Sequence, residues 1–178
     1  MDVKKLRIRD RHEFMTLFLF ERCIHIAVYR KCGAYYHNLL VLGVNYECVI
    51  VVHYTSTDSC LESSGKIQLQ WLYYEDKDFS ATFPFESGVY WIQSDRYPQT
   101  EEKKNEAIYR ALSRLDETNF HPTWNNCEHF VTWALTGEAV CFQLRKICKN
   151  IFNLLVLLNE STSSQSFPGL FGTSSNLL

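Results

Sequence analysis

The stretch Asn125-Asn126-Cys127-Glu128-His129-Phe130-Val131 opens with two residues suited to capping a helix and continues with an apolar stripe, Cys127, Phe130, Val131 and Ala134, at helical spacing. This pattern predicts a helix that begins at Asn125 or Asn126 and stops near Gly137, a residue that accepts a left-handed C-cap. Cys127 then falls in the first turn, where unpaired N–H groups and the positive end of the helix dipole favour thiolate over thiol. Such a thiolate becomes a catalytic nucleophile only with a base in hydrogen-bond reach and a third group to orient that base.

Six histidines are candidates for the base. His129 stands two residues beyond Cys127 and points to another face of the same helix. His12 sits in a charged terminus, and His121 precedes a proline in a loop. His25, His37 and His53 fall in stretches rich in β-branched and aromatic residues, Ile24 to Tyr29, Tyr35 to Leu42 and Cys48 to Tyr54, which read as strands. Two more strands are read at Lys66 to Tyr74 and Gly88 to Gln93, giving an antiparallel sheet of about five strands. Past Pro98, Thr100 caps a helix that runs to about Asp116 with Ala107, Ile108, Ala111, Leu112 and Leu115 on one stripe. The expected fold class is α+β: an antiparallel sheet packed against helices, with the cysteine at a helix N-terminus.

With 178 residues, 46% of them hydrophobic, the chain can bury one core without staples. The expected organisation is an N-terminal extension over 1–20, a catalytic domain over 21–137, an amphipathic helix over 138–158 and a disordered Ser/Thr/Asn-rich tail over 159–178. A net charge of -2, with both signs interleaved, argues against nucleic acid as a partner. Seven cysteines, several in apolar runs, argue against a disulfide framework. The charged start, the short apolar run Phe14 to Phe20 and Asp2 give no sign of a signal peptide or a myristoyl anchor, so a cytoplasmic setting is expected. The helix over 138–158 is basic at Arg145, Lys146 and Lys149 and apolar from Ile151 to Leu158. It is too interrupted by charge to span a bilayer but is suited to lie on a membrane surface, through residues 141–158. Cys127-x-His129 has no companion ligand pair, so neither metal nor cofactor is expected, and the residues set no oligomeric state.

Asn126-Cys127-Glu128-His129-Phe130-Val131 resembles the cysteine box of the lecithin-retinol acyltransferase family, a permuted branch of the NlpC-type, papain-like superfamily in which the histidines precede the cysteine. Two alignments of the upstream boxes fit. In one, His25-Ile-Ala-Val-Tyr29 leads and His37 is second; in the other, Tyr36-His37-Asn-Leu-Leu-Val-Leu-Gly43 leads and Val51-Val52-His53-Tyr54 is second. The second is preferred here, because it recovers the glycine after the leading strand and the Val-Val-His context. The resemblance then implies Cys127 as nucleophile, His37 as general base and His53 as the group that orients it. It covers roughly residues 20 to 137, and departs from the family's pattern at Asn38-Leu39 and in a longer hairpin.

What the resemblance implies is acyl transfer through a Cys127 thioester, with a glycerophospholipid as donor: phospholipase A1/A2 or O/N-acyltransferase chemistry. The alternatives are a catalytically silent domain used for regulation or interaction, and a cysteine peptidase or amidase.

Overall fold

The computed structural model describes residues 3–30, 35–55 and 65–163. In chain order its elements are β1 (Val3–Ile8), α1 (Arg11–Phe18), β2 (Ile24–Arg30), β3 (Tyr35–Val44), β4 (Cys48–Thr55), β5 (Lys66–Tyr73), α2 (Lys77–Thr82), β6 (Val89–Ser94), α3 (Glu101–Ser113), α4 (Cys127–Thr136) and α5 (Phe142–Ser163). The strands make one open antiparallel sheet in the order β1-β6-β2-β3-β4-β5. The α+β class, the five expected strands and the helices after Thr100 and Asn126 are all present. Contacts divide the chain into two units, Met1–Phe142 and Gln143–Leu178, and nearly all of α5 belongs to the second.

The sixth strand is β1, and with α1 it brings residues 3–18 into the sheet and core, where an N-terminal extension over 1–20 was expected. Val3–Ile8 carries Lys4, Lys5 and Arg7 and buries only Ile8, so it has neither the alternation nor the apolarity of an inner strand. Charge of that kind is typical of an edge strand, where it discourages pairing with other chains. After it, Asp10 caps α1 by accepting from the Glu13 N–H at 2.8 Å. The apolar run noticed at Phe14 to Phe20 thus supplies Phe14 and Phe18, both buried, to the core. At the other end α5 continues to Ser163, so residues 159–163, expected to be disordered, are helical, and the rest of the expected tail lies outside the described residues.

Both faces of the sheet are covered. On one, Ile24, Ile26, Val28, Leu39, Val41, Val49 and Val51 meet Phe14, Phe18, Phe79 and Phe83 from α1, α2 and the residue after α2. On the other, Ala27, Leu40, Leu42, Val52 and Ile92 meet Ala107 and Ala111 of α3 and Phe130, Val131 and Ala134 of α4. Successive strand residues alternate between these two layers. Odd residues of β2 and the even residues of β3 up to Leu42, where the register with β4 shifts, therefore share the α3/α4 face, and that sorting decides which side chains meet Cys127.

Phe14 is fully buried and touches Phe18, Phe83 and Phe85. Phe14→Ala should cost about 3–5 kcal/mol in urea unfolding, as large-to-small changes of a buried phenylalanine do. A loss below about 1 kcal/mol would mean that residues 1–20 are an appendage after all.

Candidate active site

Cys127 is the first residue of α4, and the local sequence explains why the helix starts there. The Asn126 side chain accepts from the N–H groups of Glu128 at 3.0 Å and His129 at 3.1 Å, while His129 Nδ1 accepts from the Asn126 N–H at 3.4 Å, a reciprocal capping box. His129 thus serves the cap, not the thiol. Asn125 is fixed separately: its Nδ2 donates to Glu117 at 2.9 Å and to the Tyr54 hydroxyl at 3.0 Å, inside a network that includes Arg114. Glu128 turns inward, where the Cys141 thiol donates to its carboxylate at 2.9 Å. Gly137 closes the helix at φ 80°, a conformation that favours glycine.

The sulfur of Cys127 looks onto β3. It accepts from the Asn38 N–H at 3.4 Å and from Asn38 Nδ2 at 3.8 Å, and its S–H points to the Tyr36 carbonyl at 4.0 Å. Asn38 is 2% exposed and joins two partners, because its Nδ2 also donates to the Tyr36 carbonyl at 3.0 Å and its Oδ1 lies 2.8 Å from His25 Nε2. With Nδ2 committed as donor, Oδ1 must accept, so His25 carries its proton on Nε2. The remaining nitrogen, Nδ1, lies 2.7 Å from the Tyr97 hydroxyl and accepts from it. No imidazole is hydrogen-bonded to the sulfur among the described residues.

His37 and His53 are brought together, but away from the thiol. His37 Nε2 is 2.8 Å from His53 Nδ1, and His53 Nε2 is 2.8 Å from Gln70 Oε1. By strand alternation these residues belong with Leu39, Val41 and Val51 on the α1/α2 face, opposite Cys127. Of the three strand histidines it is His25 that shares the α3/α4 face with the sulfur, together with Asn38. From sequence Asn38 stood out only as a departure from the family's pattern, and Tyr97 not at all. Two-fold alternation would have sorted His37 from Asn38, but β3 is buried on both faces and reads as the unbroken apolar run Leu39-Leu40-Val41-Leu42, which hides the period.

Burial sets the charge states. It pushes the Cys127 thiol up to about 11, against the two hydrogen bonds from Asn38 that lower it. His25 is 1% exposed, and burial takes it down to about 4, although its bond to Asn38 acts in the other direction. His53 is lowered to about 4 by the same cause, and His37 well below its ordinary value by burial and then by the neighbouring His53. At neutral pH the pocket therefore holds a thiol and a neutral imidazole. The lowered cysteine pKa expected from the helix start is outweighed. Among the described residues no group of three or more His, Cys, Asp or Glu side chains could hold a metal ion.

These features define an α+β domain with a cysteine, a histidine and an asparagine gathered between one sheet face and a helix N-terminus. The lecithin retinol acyltransferase family matches residues 19–140, most of the chain, and the chain belongs to that family. Lecithin retinol acyltransferase of Bos taurus is 34% identical over 65 residues, which is 36% of this chain and 28% of the bovine protein. The match thus spans less than a third of that relative's length. No solved structure matches the chain.

The buried histidines make stability depend on pH. A histidine whose folded pKa lies below its unfolded value binds fewer protons when folded, so its contribution is complete above the unfolded value of 6.5 and is lost as pH falls toward about 4. Each of His25 and His53 should remove about 3 kcal/mol across that window. Urea unfolding at a series of pH values checks this, and His53→Gln should flatten the profile. A stability unchanged from 6.5 down to about 4 would show that these imidazoles are not held neutral by burial.

Proposed function

We propose that this chain is a thiol-dependent acyltransferase or acyl hydrolase in which Cys127 is the nucleophile, His25 the general base and Asn38 the residue that orients His25. The observation that carries the reading is the pair of bonds made by Asn38, one to the sulfur and one to His25 Nε2. The roles expected for His37 and His53 pass to His25 and Asn38, because an imidazole on the far face of the sheet cannot take a proton from Cys127. The base removes the thiol proton as sulfur attacks the ester carbonyl, and the same proton then goes to the leaving alcohol. Asn126 has claimed the N–H groups of Glu128 and His129, while that of Cys127, at the helix start, has no protein acceptor among the described residues and is the donor we assign to the developing oxyanion. Water resolves the thioester in hydrolysis; an alcohol or amine resolves it in transfer.

Family membership favours an acyl ester as donor, and a glycerophospholipid is the donor we propose. Access to it would come through α5. At about 100° per residue, exposed Ile147, Ile151, Leu154 and Leu155 share one side of this helix and Arg145, Lys146 and Lys149 another, the pattern of a helix lying at an anionic lipid surface. Among the described residues no helix is long and apolar enough to cross a membrane.

Incubation with a phospholipid labelled in its acyl chain should leave the label on Cys127 as a thioester cleaved by hydroxylamine. Cys127→Ala should abolish turnover, and His25→Ala should lower it by about 10²–10⁴, the usual worth of a general base, while His37→Gln and His53→Gln change it by less than about tenfold. Reaction of Cys127 with a thiol probe, but with no acyl donor of any kind, would favour the silent domain. A chain ending at Phe142 should lose sedimentation with anionic liposomes yet keep activity on a soluble short-chain ester. Unchanged sedimentation would remove the role given to α5.

A further inference from the structure

Tyr97 lies in the turn between β6 and α3, where its N–H donates to the Ser94 carbonyl at 3.2 Å and its neighbour Arg96 is ion-paired with Glu138 at 2.7 Å. The side chain is buried, and its hydroxyl reaches His25 Nδ1 at 2.7 Å. Since Nε2 holds the proton given to Asn38, Nδ1 carries the one basic lone pair of this imidazole, and Tyr97 occupies it. A base whose lone pair is taken cannot accept the proton of a thiol. Tyr97 and His25 also border a cavity of about 410 Å³, whose other lining residues include Cys23, Arg22, Gln93 and Lys104. Cys127 does not line it. Both partners of the Nδ1 bond, His25 and Tyr97, thus line the cavity, whereas Asn38, on the Nε2 side, does not.

We propose that Tyr97 is a latch on the base, and that this cavity admits the hydroxyl- or amine-bearing acyl acceptor that displaces it. The proposal rests on His25 as the base and adds a positioning residue and an acceptor site to that reading. The Tyr97 hydroxyl is itself an O–H donor to Nδ1, the contact an acceptor alcohol must make before it reacts. Once Cys127 carries the acyl group, the acceptor's oxygen or nitrogen bonds to the thioester carbonyl carbon while its proton passes to Nδ1. The C–S bond then breaks, and the departing thiolate takes the proton back from Nδ1. The products are an ester or amide and the free thiol, with nothing else consumed.

Tyr97→Phe removes the hydroxyl and keeps the ring. Alkylation of Cys127 in the full chain by iodoacetamide, read by peptide mapping to separate it from the other cysteines, should be roughly tenfold faster in this variant at neutral pH, a modest part of what a freed general base can give. The gain should vanish when His25→Gln is added, and the ¹⁵N resonance of His25 Nδ1 should move as its hydrogen bond is lost. An unchanged alkylation rate in a folded Tyr97→Phe protein overturns the latch. So does an acceleration that survives His25→Gln, which would mean only looser packing. The second measurement uses the natural chain: titration with ethanolamine, which carries both acceptor groups, should shift the His25 Nδ1 resonance, and no shift throughout the titration overturns the acceptor site. Neither measurement contains an acyl donor, so absence of a Cys127 thioester would defeat the acyl-transfer reading without deciding these outcomes.

Discussion

Alternation of side chains along β3 is the constraint on which the site depends. A strand residue faces one layer or the other, so Asn38 and its neighbour His37 cannot both meet Cys127. Asn38 lies toward α4, and three of its groups are used there: the N–H on the sulfur, Nδ2 on the Tyr36 carbonyl and Oδ1 on His25. His37 lies toward α1 and α2 and finds His53, which in turn finds Gln70. The same sheet thus carries two chains of polar contacts, back to back, and only one of them includes the sulfur. A slip of one residue in the β2–β3 register would exchange them.

Burial, not the helix end, governs the chemistry of the resting pocket. A helix N-terminus contributes about 0.3–1 kcal/mol to a nearby anion, whereas taking a thiolate out of water costs several times that. Burial raises the thiol and lowers the imidazole, so both shifts oppose moving the proton from one to the other in the closed pocket. A resting ion pair is thus disfavoured, and in the proposed acyl transfer the proton moves as sulfur attacks the carbonyl, with the Cys127 N–H as the donor assigned to the developing oxyanion. The pocket is a protected resting state, and what opens it must bring polarity or remove the cap on Nδ1.

Much of the fold could be read from sequence because its signals are local. β-Branched stretches gave five strands, Thr100 and Asn126 act as N-caps as read, and Gly137 ends α4 as its place after the apolar stripe suggested. β1 escaped notice because an edge strand with one buried residue has little to distinguish it from a charged terminus. α1 escaped because eight residues, two of them buried, make a weak helical stripe. In the site, Cys127 was legible from its own neighbours. The histidine we propose as its base was not, since choosing among three strand histidines needs the face of each strand, and double burial had erased the alternation that would have told it.

The two halves of the site are accordingly built in different ways. Cys127 depends on a single turn of chain, Asn125 to His129, whose caps hold the thiol at the helix head whatever lies opposite. The base depends on β2, β3 and the turn after β6, three elements drawn from residues 25, 38 and 97 and joined by hydrogen bonds of 2.7 and 2.8 Å. Loss of the Tyr97 bond alone would free Nδ1 of His25, while the caps from Asn126 keep Cys127 at the helix head. In the proposed mechanism reactivity is therefore withheld or released at the imidazole, where the contact to be broken is one hydroxyl bond between two residues that line a cavity.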